Sequence, residues 1–327
     1  MRLTLRERYS KENIVCQKEF DGKDPLVSIV AICYNHGKFV RDAIEGFLIQ
    51  ETDFPVELII HDDCSTDNSA KIIRDYEKQY PDLFHTIYQK ENQYSKGVHI
   101  WGDVLFPKAK GKYIAICETD DYWTDSDKLQ KQVDFLEAHP DYSMCFHNAT
   151  VIYPNKPSHP YADIKQGEYL EQDLAFNWNI ATNSMLYRKE VLTSDIYNEI
   201  RQSKKLSFGD RPLGLACARC GRVFGFSDIM GVYRQHDGGW THAHTGLYSI
   251  PVATTFIEMG RIFGAPTQEF ANHFLASSSP VLYKLLLKGE FAKFRHLIKN
   301  AFKYAPMQTL KNLLVFYPKV FIQKLHA

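Results

Sequence analysis

The residues best suited to chemistry are acidic and lie in one short polar run. Glu118-Thr119-Asp120-Asp121 follows the apolar segment Lys112 to Cys117, whose pattern predicts a buried β-strand. Oxygen ligands at the end of a strand suit Mg²⁺ or Mn²⁺, which a protein can hold together with a diphosphate. A helix N-cap before Lys128 is the alternative, but Asp125 or Ser126 fits that position better. We therefore interpret the run as a site for a divalent cation that neutralises a leaving diphosphate.

A second acidic pair, Asp62 and Asp63, follows the apolar segment Val56 to His61. Its carboxylates can accept a hydrogen bond from a base N–H or from a ribose hydroxyl. A polar turn built on Ser65-Thr66-Asp67 explains the same residues equally well when they are considered alone. A nucleoside site and a structural turn therefore both stay open at this point.

Strand and helix patterns alternate along the first part of the chain. Strands are predicted at Leu26–Cys33, Val56–His61, Phe84–Gln89 and Lys112–Cys117, and helices at Phe39–Leu48, Ala70–Tyr80 and Val98–Pro107. This alternation predicts an α/β fold with a doubly wound, mostly parallel sheet flanked by helices. Ligands bind outside the carboxyl ends of such strands, so Tyr34-Asn35-His36, Asp62-Asp63 and the Glu118 run are expected to converge. Clustered carboxylates cost stability unless a cation or ligand offsets their charge.

The overall charge excludes a general nucleic-acid binder. Lys plus Arg and Asp plus Glu number 39 each, so the chain has no net field that attracts a polyanion. The N-terminal segment lacks the apolar core of a secretory signal, and no stretch approaches the roughly 20 apolar residues of a membrane-spanning helix. We expect a cytoplasmic location. The seven cysteines are scattered, which predicts reduced thiols rather than a disulfide framework.

Four segments are expected along the chain. Residues 1–24 form an N-terminal extension, 25–150 a nucleotide-binding half, 151–245 an acceptor-side half with a closing loop, and 246–327 a helical C-terminal region. Beyond Glu290 this region carries seven Lys or Arg residues and no Asp or Glu, interleaved with apolar residues. Such a basic, amphipathic tail can lie on an anionic membrane surface, here the inner face of the cell membrane, or pack on the chain's own core.

Three motifs occur in a fixed order along the chain. They are Val27-Ser28-Ile29-Val30 through Tyr34-Asn35, Ile59 through Asp67, and Gly111-Lys112-Tyr113-Ile114 through Trp123. The series resembles the family 2 glycosyltransferases over roughly residues 25 to 240 and is far more specific than any one motif. The resemblance implies a GT-A fold, in which a doubly wound, mixed but mostly parallel sheet is flanked by helices and followed by a helical C-terminal extension. It also implies an inverting transfer and a role of the kind found in bacterial polysaccharide synthesis.

The resemblance also implies roles for residues at the three strand ends. The residues expected to hold the nucleotide are Tyr34, Asn35, Asp62, Asp63, Glu118 and Asp120. Asp121 is the expected direct ligand of Mn²⁺ or Mg²⁺, with Asp120 as the second ligand. Glu118 replaces the Asp with which the family's DxD motif begins.

Two later segments resemble the family's acceptor-side and closing motifs. Phe208-Gly209-Asp210-Arg211-Pro212-Leu213 resembles its Gly-Asp motif, which implies that Asp210 is the catalytic base. An inverting displacement needs a carboxylate to take the acceptor hydroxyl proton, whereas a surface helix cap is the structural alternative. Gly231 through His236 resembles the closing segment, so Arg234 and His236 are expected to bind the diphosphate. His236 is also a candidate metal ligand, and the glycine-rich stretch after it is expected to close over the substrates.

The expected function is transfer of a sugar from a nucleotide-diphosphate donor to a hydroxyl of a glycan or lipid-linked glycan. UDP is the favoured nucleotide because the family most often uses it. Glycoside hydrolysis also uses paired carboxylates but needs neither nucleotide nor cation. A sugar nucleotidyltransferase would typically begin with a glycine-rich basic loop, which Tyr34-Asn35-His36-Gly37 is not. A non-catalytic binding module is the third alternative, against which Asp121 and Asp210 together argue.

Overall fold

The computed structural model describes residues 2–10, 23–239 and 250–269, together with residues 271, 295, 298, 299 and 302. Most of the predicted closing loop and nearly all of the predicted basic tail lie outside these residues. The chain divides into two compact units. The first comprises Met1–Leu170, Asn179–Arg201 and Ala216–His236, and the second comprises Glu171–Trp178, Gln202–Leu215 and Asp237–Ala327. Within the described parts of the chain, every helix is too short or too polar to span a lipid bilayer.

The first unit contains a mixed, mostly parallel sheet. The described strands are β1 (Leu3–Thr4), β2 (Val27–Cys33), β3 (Glu51–Thr52), β4 (Val56–Asp62), β5 (Ile87–Tyr88), β6 (Tyr113–Ile116), β7 (Tyr122–Trp123), β8 (Tyr142–Ile152), β9 (His159–Pro160), β10 (Gly167–Tyr169), β11 (Leu186–Arg188) and β12 (Arg222–Arg234). Their order across the sheet is β10-β12-β8-β11-β6-β2-β4-β5, with β7 beside β12 and β9 beside β8, while β1 and β3 form a separate ribbon. β2 pairs in parallel with β4 and β6, β4 with β5, and β8 with β12, whereas β11 is antiparallel to both β6 and β8. The predicted α/β fold with a mostly parallel sheet is confirmed.

Helices connect the strands in the predicted alternation. The described helices are α1 (Leu5–Tyr9), α2 (Val40–Leu48), α3 (Ser69–Gln79), α4 (Lys128–Ala138), α5 (Glu171–Phe176), α6 (Asp195–Gln202), α7 (Asp210–Cys220) and α8 (Ile250–Phe263). The helix predicted at Val98–Pro107 is instead a π-helical turn at Ile100–Leu105 followed by a 3₁₀ turn at Phe106–Lys108. Gly102 favours other backbone conformations and Pro107 lacks an N–H donor, so a regular α-helix is disfavoured there.

The central strands are buried on both faces, as parallel strands covered by helices require. All seven residues of β4 are buried, and β2 has only one position that is partly exposed. Burying a side chain such as Ile29 or Leu58 stabilises the fold by about 1.5–3 kcal/mol. These strands therefore hold the polar loops at their carboxyl ends in fixed positions.

The second unit, described by itself, is helical. It contains α5, the first turns of α7, and α8. Arg211 on α7 donates a hydrogen bond to the carbonyl oxygen of Ala175 on α5. Phe208, just before α7, packs edge to face on Phe256 of α8 with ring centres 5.7 Å apart. Asp210 is thereby fixed at the first residue of a packed helix.

Lys128 places an ammonium group in the core of the first unit. The side chain is fully buried, its Nζ has no hydrogen-bond partner among the described residues, and it lies 3.8 Å from the centre of the Trp123 ring. Burial lowers the pKa of Lys128 to about 7. The unfolded chain therefore binds more protons than the folded chain from about pH 7 to about pH 10, so this group makes stability rise with pH across that window.

Replacing Lys128 with Met is expected to raise the free energy of unfolding at neutral pH by roughly 2–4 kcal/mol, because each pKa unit corresponds to about 1.36 kcal/mol. Methionine keeps the aliphatic contact with Trp123 and removes the buried charge. Urea unfolding at about pH 7 and about pH 9.5 tests this. In this pH range Lys128 gives up its proton when the chain folds, and that loss costs less free energy as the pH approaches the pKa of the unfolded chain, so the gap between the two proteins should shrink. Lys112→Met, at a half-exposed position, is the control. An equal difference in the free energy of unfolding at both pH values would contradict the lowered pKa of Lys128.

Candidate active site at the carboxyl end of the sheet

The loops after β2 and β4 are tied together through Asn35. Asn35 and Cys64 both have left-handed backbone conformations, with φ of 56° and 63°, which Asn adopts more readily than most residues. The backbone N–H of Asn35 donates to Ser65 Oγ at 2.9 Å, and Thr66 N–H donates to Asn35 Oδ1 at 2.8 Å. Asn35 therefore positions the two strand ends, whereas the neighbouring Tyr34 is 43% exposed and available to a ligand.

The Asp63 carboxylate fixes the loop after β5. Its Oδ1 accepts the backbone N–H of Gln93 at 2.7 Å, and its Oδ2 accepts that of Tyr94 at 3.0 Å. Asp62 Oδ2 accepts from Ser65 N–H at 3.3 Å, while its buried Oδ1 has no partner among the described residues. Asp62 and Asp63, two of the predicted nucleotide ligands, are thus buried at the strand end, and Asp63 also holds a neighbouring loop.

The acidic run after β6 forms a tight turn against β2. Thr119 N–H donates to the carbonyl oxygen of Ile32 at 3.1 Å, and Asp121 N–H donates to that of Glu118 at 3.1 Å. The turn directs Asp120 and Asp121 to the carboxyl edge of the sheet. The predicted convergence of the three strand ends is therefore present within the first unit.

Arg234, at the end of β12, holds the acidic turn in place. Its backbone N–H donates to Asp121 Oδ1 at 2.7 Å, and its Nη1 donates to the carbonyl oxygen of Asp120 at 2.7 Å. Its Nη2 donates to Asp42 Oδ2 at 2.8 Å, and the guanidinium lies between the rings of Phe39 and Tyr122. These contacts give the predicted diphosphate ligand a fixed position next to the carboxylates.

Two histidines approach Asp120 from other segments. His236 Nε2 lies 3.1 Å from Asp120 Oδ2, and His36 Nε2 lies 3.9 Å from the same oxygen. The two imidazole rings are 6.1 Å apart, and Phe39 packs against His236 at 4.6 Å. The structure thus brings His236, a predicted diphosphate and metal ligand, to Asp120, and it adds His36 to the same cluster.

The electrostatics of the acidic pair are asymmetric. Burial, reinforced by the neighbouring Asp120 charge, raises the pKa of Asp121 well above its usual value. Burial also disfavours the charged form of Asp120, but the hydrogen bond from His236 and the nearby His36 keep the pKa of Asp120 below its usual value. Burial lowers the pKa of His36, so its imidazole favours the neutral form. Asp120 is therefore the more firmly ionised carboxylate of the pair.

Two groups of side chains in this cluster could hold a metal ion. Glu118, Asp120 and Asp121 each offer a ligand atom within 4.8 Å of the others, and so do His36, Asp120 and His236. Asp120 Oδ1 and Asp121 Oδ2 are buried without a hydrogen-bond partner among the described residues. Buried carboxylate oxygens are normally paired or bound to a cation, so these donors fit the divalent ion that the sequence predicts.

The predicted base, Asp210, belongs to the second unit. It is partly buried at the first residue of α7. Burial raises the pKa of Asp210, and the adjacent Arg211 partly offsets that rise. A raised pKa brings a carboxyl group closer to the range in which a general base works well.

The sequence model of glycosyl transferase family 2 matches residues 28–194 of this chain, a range that includes all three strand ends. This chain belongs to glycosyl transferase family 2. The resemblance inferred from the ordered motifs is thereby confirmed.

Relatives of this family member include proteins of known and unknown activity. An uncharacterized protein of Mycobacterium tuberculosis is 40% identical over 223 residues, which are 67% of this chain and 62% of that protein. The chain thus spans less than two thirds of the length of that relative. The Escherichia coli UDP-Glc:alpha-D-GlcNAc-diphosphoundecaprenol beta-1,3-glucosyltransferase WfaP is 35% identical over 112 residues, which are 34% of this chain and 41% of WfaP.

A solved structure shows the same fold. S. aureus TarS in complex with UDP-GlcNAc is similar with a TM-score of 0.65 at 16% identity, over 88% of this chain and 83% of that chain. This likeness establishes the GT-A type of fold.

The family motifs assign no role to two residues of the cluster, His36 and Asp42. His36 is the last residue of the polar run Tyr34-Asn35-His36. Its position after a predicted strand was the only feature of the sequence that indicated a place in the site. Asp42 lies on α2 and reaches Arg234 across 192 residues of sequence, so no local pattern could have indicated the pair.

Proposed function

We propose that this family 2 member is a glycosyltransferase that moves a sugar from a nucleotide-diphosphate donor, with UDP favoured, to a hydroxyl of an acceptor glycan. The observation that carries the proposal is the pair Asp120 and Asp121 at the carboxyl edge of the sheet, because one buried oxygen of each carboxylate has no hydrogen-bond partner among the described residues. Ligands of open α/β sheets bind at that edge. The cluster matches what a nucleotide diphosphate with a divalent cation requires.

In this proposal Asp120, Asp121 and His236 hold Mn²⁺ or Mg²⁺. The bound cation supplies positive charge to the leaving diphosphate. Arg234 adds a second positive charge beside the carboxylates, and it is fixed by Asp42, so it is already oriented when the donor binds.

Tyr34 supplies an exposed ring for the nucleotide base. Asp62 and Asp63 shape the nucleoside region, and Asp63 does so by holding the Gln93–Tyr94 backbone. Glu118, at the first position of the acidic run, completes the expected nucleotide contacts.

Asp210 acts as the catalytic base in this scheme. Its carboxylate takes the proton of the acceptor hydroxyl while the hydroxyl oxygen attacks the anomeric carbon from the face opposite the diphosphate, which inverts the configuration. The match to the family's Gly-Asp motif and the raised pKa of Asp210 support this role.

The similar proteins support the choice of donor and acceptor. TarS was solved with UDP-GlcNAc, and the name of WfaP specifies UDP-Glc and a diphosphoundecaprenol-linked sugar. A lipid-linked glycan is therefore a proposed acceptor class alongside free glycan chains. Such an acceptor would bring the enzyme to the inner face of the cell membrane, which is one of the two placements that the sequence predicts for the basic tail; the other is packing on the chain's own core.

Thermal unfolding with UDP, GDP, dTDP and CDP, each with and without Mn²⁺, tests the donor site. A ligand at a hundredfold excess over its dissociation constant stabilises the folded state by about 2.7 kcal/mol. We expect UDP to raise the unfolding midpoint by several degrees only when Mn²⁺ is present, and Asp121→Ala to lose the effect. Asp75→Ala, at an exposed position on α3, is the matched control.

Each other outcome points elsewhere. If no nucleotide raises the midpoint with or without Mn²⁺, the donor site is wrong and a hydrolase or a non-catalytic module becomes the better assignment. Stabilisation by UDP with release of pyrophosphate from a nucleoside triphosphate and a sugar phosphate would identify a sugar nucleotidyltransferase.

A further inference from the structure

The cluster around Asp120 contains more nitrogen than a carboxylate cation site needs. His36 and His236 direct their Nε2 atoms to the same carboxylate oxygen, at 3.9 Å and 3.1 Å. One ligand atom from each of the three residues lies within 4.8 Å of the others. Two imidazoles and one carboxylate form a donor set typical of transition metals, whereas Mg²⁺ is usually held by carboxylates, phosphates and water.

Hydrogen bonding determines which nitrogen of His36 is available. Thr119 Oγ1 lies 3.0 Å from the carbonyl oxygen of Ile32 and 2.8 Å from His36 Nδ1. A carbonyl oxygen can only accept, so Thr119 gives it the hydroxyl proton and accepts a proton from His36 Nδ1. In this arrangement the Nε2 atom of neutral His36 carries a lone pair directed at the Asp120 carboxylate.

That arrangement brings two acceptors face to face. A lone pair on His36 Nε2 and a carboxylate oxygen repel each other unless a cation lies between them. Thr119 supports the ring in the way that hydrogen-bond partners of metal-binding histidines usually do, by fixing the tautomer and the ring orientation. The ring of Phe39 packs beside both imidazoles, with its centre 6.4 Å from that of His36 and 4.6 Å from that of His236.

We propose that His36 is a further ligand of the active-site cation, and that the two imidazoles with Asp120 make the site prefer Mn²⁺ and later first-row metals over Mg²⁺. This inference deepens the proposed function, because it concerns the same cation. Imidazole nitrogen raises affinity for Mn²⁺, Co²⁺ and Zn²⁺ relative to Mg²⁺, which favours oxygen ligands. The acidic residues alone would leave no such preference.

Pulsed electron paramagnetic resonance of Mn²⁺ bound to the full chain, without nucleotide, counts the nitrogen ligands directly. We expect nuclear modulation from two imidazole nitrogens in the wild type and from one in either His36→Ala or His236→Ala. Mn²⁺ affinity in His36→Ala should fall by at least about 10- to 100-fold, which is the loss typical when only a hydrogen-bond partner of a metal ligand is removed. Competition with Mg²⁺ should show a narrower preference for Mn²⁺ in that variant.

His85→Ala is the matched control, because His85 Nε2 lies 3.8 Å from a Glu57 oxygen without belonging to a described ligand cluster. It should leave the nitrogen modulation and the Mn²⁺ affinity unchanged. His36→Gln keeps a polar side chain if the alanine variant unfolds, and the wild-type nitrogen count needs no variant at all.

The inference is overturned if wild-type Mn²⁺ shows fewer than two nitrogen ligands, or if His36→Ala keeps both. UDP binding measured on the same samples separates this outcome from failure of the proposed function. Stabilisation by UDP with Mn²⁺ but without His36 coordination leaves the glycosyltransferase proposal intact. If Mn²⁺ has two imidazole ligands but no nucleotide binds, the inference about His36 stands and the glycosyltransferase proposal is wrong.

Discussion

The Asp210→Asn variant is expected to transfer sugar about 10²- to 10⁴-fold more slowly than the wild type, the range typical for loss of a general base. An amide cannot take the acceptor hydroxyl proton, so the loss should fall on kcat with saturating donor and acceptor. Donor binding should be unchanged, because UDP and Mn²⁺ are proposed to bind to residues of the first unit. Initial rates of transfer and the UDP-induced shift of the unfolding midpoint measure the two effects separately.

The same substitution should not lower stability. Burial raises the pKa of Asp210, so the folded state holds this proton to a higher pH than the unfolded state does. The ionised carboxylate therefore costs stability as pH rises through the folded pKa, and neutral Asn removes that cost. Near pH 7 the unfolding midpoint of Asp210→Asn should equal or exceed that of the wild type.

The pH dependence of transfer gives an independent test of the role of Asp210. A base must be ionised to act, so kcat should rise with pH through the pKa of Asp210, and the variant should lack that rise. Asp173→Asn is the matched control, because Asp173 is also an acidic residue in the first turn of a helix of the second unit. A kcat within threefold of the wild type in Asp210→Asn would place the base elsewhere.

The strand ends could be predicted because they depend on local pattern and one rule of topology. The strands β2, β4 and β6 are rich in apolar residues, as strands buried on both faces usually are, with Ser28 and Glu57 as buried polar exceptions. Parallel strands bring their carboxyl ends to one edge of a sheet, so the polar residues after them must be neighbours. Nothing about the loops themselves was needed for that step.

The contacts inside the site could not be predicted in the same way. Asp63 was expected at the nucleoside, but its oxygens accept two backbone N–H groups from a loop thirty residues later. Arg234 and Asp42 meet across 192 residues. Such pairings depend on how loops fold back over the sheet, and residue types alone do not specify that path.

The short strand β11 shows a similar limit within the fold. Leu186–Arg188 lies antiparallel between β6 and β8, where a purely parallel order would bring β6 and β8 together. Three residues carry too little periodicity to indicate a strand. The family resemblance implies a mixed sheet, but the antiparallel pairing of β11 with both β6 and β8 becomes visible only in three dimensions.

Asp120→Asn is expected to weaken Mn²⁺ binding more than Glu118→Gln does, and to lower kcat/KM by about 10²- to 10³-fold, as loss of a preorganised electrostatic group typically does. Asp120 belongs to both candidate ligand groups, whereas Glu118 belongs only to the group made of carboxylates. It also accepts the contact from His236 and is the more firmly ionised of the acidic pair. Replacing Asp120 therefore removes a negative charge next to the cation and the hydrogen-bond partner that positions His236.

Titration with Mn²⁺ and initial rates on Asp120→Asn, Asp121→Asn and Glu118→Gln rank the three carboxylates. Asp121 Oδ1 accepts the backbone N–H of Arg234, and burial raises the pKa of Asp121. Replacing Asp121 with Asn should therefore cost less Mn²⁺ affinity than replacing Asp120, which reverses the order of the two ligands that the family resemblance implies. Asp125→Asn, beyond the acidic turn and paired with Lys131, should behave like the wild type. If Asp121→Asn loses the cation while Asp120→Asn retains it, then Asp121 is the direct ligand and the histidines serve only to orient Asp120. Equal losses in both variants, with nitrogen modulation still present, would instead mean that one ion is bound by both carboxylates and the imidazoles together.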